Sequence, residues 1–141
     1  VLAEQPHRAE SRIITPHPGE AGVLLGRPTA EIQSDRTAAV RALQAKFGGV
    51  AVLKGAGSLI SAGEKAPSIC TAGNPGMAVA GMGDVLTGII AALLAQGLSI
   101  AEAAQVGVES HARAGDRAAR GGERGLIASD LMTELRAVVN P

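Results

Sequence analysis

The residue with the clearest chemical potential is Asp84, which follows a glycine-rich turn and precedes a long apolar run. Glycines let a ligand approach the backbone closely, and the free N–H groups at a helix start attract phosphate oxygens. The turn consists of Gly81, Met82 and Gly83. A carboxylate beside such a site makes sense if it takes a proton from a hydroxyl that attacks phosphate, or holds a metal. On its residue type alone, Asp84 is more often a helix N-cap.

The apolar run, residues 85–96, contains Thr87 as its only polar residue before its end. A helix without a polar face is normally buried. The sequence therefore predicts a buried helix that begins just after Asp84. The glycine spacing fits neither the dinucleotide-binding nor the Walker pattern, so the glycines alone are weak evidence for a nucleotide site.

A second candidate phosphate site follows a short apolar run, Val50–Leu53, whose length and β-branching are typical of a buried strand. Lys54 stands at the end of this strand, and two glycines and a hydroxyl come next. The segment after the lysine is Gly55, Ala56, Gly57 and Ser58. A cation with a glycine-rich loop suits phosphate binding. Alone, Lys54 is more typical of a solvated strand end.

The third candidate is His17, which stands between Pro16 and Pro18 at the end of a predicted strand, residues 12–15. Proline fixes its own φ and restricts the residue before it, so the histidine is held in a stiff loop. Open α/β sheets place their ligands at strand ends. The alternative is a loop histidine bonded to the backbone. Pro18 also starts a short helix, and Glu20 suits its first turn.

The remaining pattern predicts an α/β fold with a mostly parallel sheet and helices on both faces. Ser34 or Asp35 could cap a helix whose apolar stripe ends at Phe47, and Ser99 with Glu102 forms a capping box. The hairpin, the last helix and its cap are predicted from turn and stripe patterns. They involve Leu59, Ile60, Ser61, residues 63–65 and 68–71, and Ser129 as the cap. His111 lies near an apolar stripe, which favours a buried, hydrogen-bonded histidine.

Composition restricts the function classes. The 141 residues carry 13 basic and 13 acidic side chains, and aromatic residues make up 1%. Nucleic-acid binding therefore has little support. The single cysteine, Cys70, fits a reducing compartment, and its pattern favours a small buried strand residue. The apolar runs are too short for a membrane span and no secretory signal is visible, so we expect a cytoplasmic protein.

Several motifs occur in an order that closely resembles the ADP-dependent NAD(P)H-hydrate dehydratase family of the ribokinase-like superfamily. They are TPHPGE at 15–20, LKGAGS at 53–58, GNPGMA at 73–78, GMGDVLTG at 81–88 and ASDL at 128–131. The resemblance covers the whole chain. TPHPGE together with the glycine-rich turn before Asp84 is specific, although Met82 stands where many members have Thr or Ser. It implies a three-layer αβα sandwich of the ribokinase-like type.

The resemblance also implies roles for the candidate residues. Members of this family dehydrate hydrated NADH or NADPH and split ADP into AMP and phosphate. Asp84 would contact the hydrate and deprotonate its ring hydroxyl, and His17 would touch the hydrate. The turn before Asp84 would form the anion hole. The nucleotide would be held by Lys54, Gly55, Ala56, Gly57, Ser58 and Gly83. Mg²⁺ is expected on the phosphates, with no tight protein-only metal site.

Length is the departure that matters, because domains of this family are about twice as long as this chain. We therefore expect residues 1–141 to be the C-terminal part of a single dehydratase domain, without the first strands. Such a chain would need its other part or self-association. Two alternatives remain: a ribokinase-like kinase of a small vitamin precursor, and a catalytically silent fragment that binds nucleotide.

Overall fold

The computed structural model describes residues 2–140; the two terminal residues of the predicted domain span lie outside it. The chain forms two compact units, residues 1–69 and 70–141. In the first unit one strand is followed by three helices and then by three strands, and the second unit is almost entirely helical. The strands are β1 (Ile13–Ile14), β2 (Val50–Leu53), β3 (Ser58–Ala62) and β4 (Ser68–Cys70). The helices are α1 (Pro18–Leu25), α2 (Thr29–Ser34), α3 (Arg36–Phe47), α4 (Met82–Ala95), α5 (Ile100–Ala118) and α6 (Ala128–Val139).

The sheet has the order β1-β2-β3-β4. Strand β1 is parallel to β2, with Ile13 opposite Val50, whereas β2 and β3 are antiparallel. The prediction of a mostly parallel sheet is therefore wrong for these strands. Helices connect β1 to β2, which allows these two strands to run parallel. The loop between β2 and β3 has four residues and is too short to carry the chain back to the start of β2, so these strands pair antiparallel.

Local signals fixed the ends of most first-unit elements. Helix α1 starts at Pro18 and ends before Gly26, which has a φ of 67°. Asp35 caps α3 by accepting a hydrogen bond from the N–H of Ala38. The core of this unit lies between α3 and the sheet and is aliphatic apart from one ring. Its fully buried members include Ile32, Val40, Leu43, Phe47, Ala51 and Leu53. Helix α2 has no counterpart among the predicted elements.

Two predictions about the second unit need correction. Helix α4 begins at Met82, two residues before Asp84, and only Met82, Leu86 and Ile90 of it are buried. Apolar composition identified the helix but not what covers it. The last helix begins at Ala128, so Ser129 lies inside it. The Asp130 carboxylate accepts the N–H of Ile127 at 2.9 Å and satisfies that end.

The capping box of Ser99 and Glu102 is confirmed at the start of α5. Cys70 is 6% exposed and ends β4, as expected. The core of the second unit is small, with Met82, Ala114, Leu126 and Leu131 at its centre. No helix among residues 2–140 is both long and apolar enough to cross a membrane.

Candidate functional site

The first unit brings together the loops that follow β1 and β2. They are residues 15–17, the His17 loop, and residues 54–57, the Lys54 loop. Strands β1 and β2 are parallel neighbours, so the segments that leave their carboxyl ends emerge at the same edge of the sheet. The backbone N–H of Lys54 donates to the carbonyl oxygen of Pro16 at 2.9 Å. Two motifs that are far apart in sequence are thus joined through their main chains.

His17 is the N-cap of α1. Its Nδ1 accepts hydrogen bonds from the N–H groups of Gly19 and Glu20, at 3.1 and 3.2 Å. This arrangement requires the tautomer with its proton on Nε2. The sequence alternative, a histidine bonded to the backbone, is therefore what the structure has. The Nε2 atom takes no part in the cap, and the His17 side chain is half-exposed.

Glu20 links both loops. Its carboxylate accepts the backbone N–H of His17 at 2.7 Å, and lies 3.6 Å from the ammonium of Lys54 and 3.6 Å from the Nε2 of His17. Burial alone would raise the pKa of Glu20, but the hydrogen bond from His17 and the charge of Lys54 together lower it below its ordinary value. Beyond its predicted first-turn role, Glu20 therefore holds both candidate side chains in place.

The Lys54 loop contains two glycines with positive φ. Gly55 and Gly57 have φ values of 146° and 67°, which side-chain-bearing residues rarely adopt. The hydroxyl of Ser58 donates to the carbonyl of Gly55 at 3.3 Å. The Lys54 side chain is 25% exposed and paired with Glu20, so it is not the solvated strand end that was the alternative.

Arg36, which sequence reasoning missed, holds this loop through hydrogen bonds to its carbonyls. Its guanidinium donates to the carbonyl of Ala56 at 2.6 Å, and to those of Leu53 and Lys54 at 3.3 and 3.4 Å. One signal was available in the sequence. Arg36 is the first residue of α3, where the helix dipole disfavours a cation. A cation at such a position indicates that its side chain binds groups outside the helix.

In the second unit, α4 begins after a glycine that provides no side-chain cap. Gly81 is its N-cap, with a φ of 87° and no side-chain cap, so the N–H groups of Met82 and Gly83 have no intrahelical partner. Asp84 stands in the first turn and is exposed. It does not cap the helix, so its alternative role is not what the structure shows. The carboxylate and the N–H groups thus share one helical turn.

His111 supports this turn from α5. Its Nε2 lies 2.9 Å from the carbonyl oxygen of Met82, and the side chain is partly buried. The prediction of a hydrogen-bonded histidine is confirmed, and the bond ties α5 to the turn that contains Gly81 and Gly83.

Asp116 on α5 is a second residue that the sequence analysis missed. Its two carboxylate oxygens accept the N–H of Gly73 at 2.9 Å and the side-chain amide of Asn74 at 3.1 Å. Asn74 in turn accepts the N–H of Gly76 at 3.1 Å. No sequence signal pointed to Asp116, because its partners are more than forty residues away.

A cavity of about 470 Å³ lies in the first unit beside the His17 loop. Pro16 and Glu20 line it together with aliphatic residues of β1, α1 and the N-terminal segment, but His17 and Lys54 do not. Across residues 2–140, no group of three or more His, Cys, Asp or Glu side chains is placed to hold a metal ion.

The sequence of the chain is similar to those of known proteins of one family. The family model for NAD(P)H-hydrate dehydratase matches residues 1–137. The bifunctional NAD(P)H-hydrate repair enzyme Nnr of Coxiella burnetii is 57% identical over the whole chain, which spans 29% of that enzyme. The ADP-dependent (S)-NAD(P)H-hydrate dehydratase of Neisseria meningitidis is 45% identical over 91% of the chain, which covers 44% of it.

Solved structures give a similar answer. The ADP/ATP-dependent NAD(P)H-hydrate dehydratase of Bacillus subtilis, crystallised with ATP and Mg²⁺, aligns with a TM-score of 0.88 and 29% identity. The alignment covers 96% of this chain and 49% of that one. Arabidopsis thaliana ribokinase aligns at 0.53 and 19% identity, which supports the ribokinase-like fold alone. The predicted α/β fold of this type is thereby confirmed. The chain spans about half or less of the length of these relatives. Because the family model spans both units, the chain belongs to the NAD(P)H-hydrate dehydratase family.

Proposed function

We propose that the protein carrying this chain dehydrates hydrated NADH or NADPH at the expense of ADP, releasing AMP and phosphate. The observation that carries the proposal is the pairing of TPHPGE with LKGAGS across β1 and β2, where one backbone hydrogen bond and the Glu20–Lys54 ion pair join the two motifs. Family membership and the name of the Neisseria relative support the same reaction.

The first unit has the groups to bind both reactants. We assign the nucleotide to Lys54, Gly55, Ala56, Gly57 and Ser58. Among the described residues, the N–H groups of Gly55, Ala56 and Gly57 have no partner, and an ammonium stands beside them. That combination suits a diphosphate. His17 would contact the hydrate through Nε2, which its capping role leaves available.

The second unit has the groups for the chemical step. Asp84 would accept the proton of the ring hydroxyl, and the resulting alkoxide would attack the β-phosphorus of ADP with AMP as the leaving group. Loss of phosphate from one ring carbon and of a proton from the neighbouring ring carbon then restores the ring double bond. Gly81, Met82 and Gly83 would stabilise charge on the transferred group, with Gly83 also contacting the nucleotide.

Mg²⁺ neutralises phosphate charge in such reactions. No described group of side chains could hold it unaided, so we assign it to the nucleotide phosphates and give it no protein ligands. We further propose that residues 1–141 form part of a single dehydratase domain, since the family model crosses both units. The unpaired Cys70 fits a cytoplasmic location.

A product assay tests the function. Full-length protein is incubated with NADH hydrate, ADP and Mg²⁺, and reduced nicotinamide absorbance, AMP and phosphate are followed. Dehydration yields all three in equal amounts. A stable phosphorylated product without reduced nicotinamide would instead identify a kinase, and the absence of both products would identify a silent binding protein.

A further inference from the structure

The N–H groups of the Lys54 loop have an orientation that one side chain outside the loop imposes. We infer that Arg36 is a positioning residue for nucleotide binding: by holding carbonyls of the loop it turns the N–H groups of Gly55 and Gly57 toward the ligand. This inference rests on the proposed function, because it names how the proposed nucleotide loop acquires its shape.

The argument begins with peptide geometry. All described peptide bonds are trans, so the C=O of one residue and the N–H of the next point in opposite directions. The guanidinium of Arg36 donates hydrogen bonds to the carbonyls of Lys54 and Ala56. The N–H groups of Gly55 and Gly57 therefore point away from the guanidinium. One side chain orients two donors of the same loop.

The third bond continues the pattern. Arg36 also donates to the carbonyl of Leu53, and the next N–H, that of Lys54, points away from it and donates to Pro16. The N–H groups of Gly55 and Gly57 have no such partner among the described residues. Of the three amides turned outward, one secures the His17 loop and two remain for a ligand.

The fit between Arg36 and the loop is close. A Cβ atom at Gly55 would fall 2.9 Å from an Nη atom of Arg36, and the φ of 146° already disfavours any other residue. The Nε of Arg36 is buried and has no hydrogen-bond partner within residues 2–140. A lysine could not reproduce this arrangement, because its ammonium is one point and not a planar fork with several donors.

Arg36 is also placed against the local preference of its helix. It occupies the first position of α3, where the positive end of the dipole disfavours a cation. The carbonyls of the loop compensate for this, since they direct three partial negative charges at the guanidinium. A residue that breaks a local rule in this way is expected at a functional site.

The test uses Arg36→Gln in the full-length protein, with Arg41→Gln as the matched control. Arg41 lies on the same helix and is exposed. We expect Arg36→Gln to raise the Kd for ADP, measured by calorimetry with Mg²⁺, by about tenfold or more, the effect of losing hydrogen bonds from a charged donor. With ADP bound, amide hydrogen exchange at Gly55 and Gly57 should be faster in Arg36→Gln than in wild type. The KM for the hydrate should rise by a smaller factor than the Kd for ADP.

Each other result has a definite meaning. If wild type binds ADP and Arg36→Gln binds it equally well, the inference is wrong and the proposed function stands. If wild type binds no ADP, the proposed function fails, and the inference fails with it. If Arg36→Gln does not fold, Arg36→Lys takes its place and should show the same selective loss. If both variants lose their native circular dichroism, Arg36 is a structural residue only and the inference is overturned.

Discussion

The Nε2 atom of His111 lies 2.9 Å from the carbonyl oxygen of Met82, so a side chain of α5 holds the first turn of α4. Histidine suits this place because a partly buried ring can pack against Ala and Gly neighbours and still donate one hydrogen bond. The turn that it holds contains the proposed anion hole and the proposed base.

We predict that His111→Ala lowers both stability and turnover. Losing the bond should cost about 1 kcal/mol in the free energy of unfolding, measured by urea denaturation, and the freed turn should lower kcat more than it raises KM. Gln105→Ala, at an exposed position of α5, is the control and should change neither quantity. Equal kcat values in His111→Ala and wild type would show that the hydrogen bond to Met82 does not affect catalysis.

Asp84→Asn should abolish dehydration while leaving ADP binding intact. General-base catalysis contributes roughly 10² to 10⁴ in rate, so kcat should fall by that factor. Because the exposed carboxylate also lies in the first turn of α4, the variant should lose only about 0.3–1 kcal/mol of stability. Reduced nicotinamide absorbance and calorimetry with ADP measure the two effects. Dehydration at the wild-type rate would remove Asp84 from the mechanism.

Glu20 should make stability depend on pH. Its pKa is lowered in the folded protein, so its contribution is fully present above the ordinary carboxyl pKa and is lost as the pH falls through the lowered value. The melting temperature of Glu20→Gln should thus lie below that of wild type at neutral pH, and the two should converge in acid. Glu64→Gln, an exposed turn position, is the control. A difference that persists unchanged in acid would show that the charge of Glu20 is unimportant.

Cys70 should be an unreactive thiol. Burial and the hydrogen bond that its Sγ donates to Glu109 at 3.1 Å raise the pKa of Cys70 to about 11. At neutral pH almost no thiolate is present, and the side chain is buried. Alkylation by iodoacetamide should be slow in native protein and fast in denaturant. Rapid modification of the native protein would show that β4 opens readily.

The 141-residue chain alone should associate or bind a hydrophobic dye. Large apolar side chains are exposed in both units, with Val23 at 70% and Met132 at 65% exposure. Such surface in water favours contact with other protein. Sedimentation equilibrium measures the mass. A compact monomer that unfolds cooperatively would contradict the expectation that this chain needs a covering partner.

Sequence reasoning located the elements and motif loops because their signals are local. Pro18 and Gly26 delimit α1, and Asp35 and Ser99 cap their helices through bonds to N–H groups two or three residues away. One failure had a local cause, since the four-residue loop between β2 and β3 makes them pair antiparallel. The other is non-local, because the exposed part of α4 depends on what packs against it.

The site shows the same division. His17, Lys54 and the turn before Asp84 were visible from residue type and spacing, whereas their assigned roles stay predictions. Arg36 and Asp116 escaped notice because each acts on backbone groups that fold back to it from seventeen to forty-three residues away. The cation at the start of α3 is unusual for its position, but it does not identify its partners, and the acid on α5 gives no sign of its own.

The hydrogen bond from Lys54 to Pro16 and the ion pair from Lys54 to Glu20 connect the two motif loops of the first unit. In the proposed function one loop takes the hydrate and the other the nucleotide, so a ligand that orders one loop would also lower the entropy cost of ordering the other. The two proposed ligands would then strengthen each other's binding by the same factor.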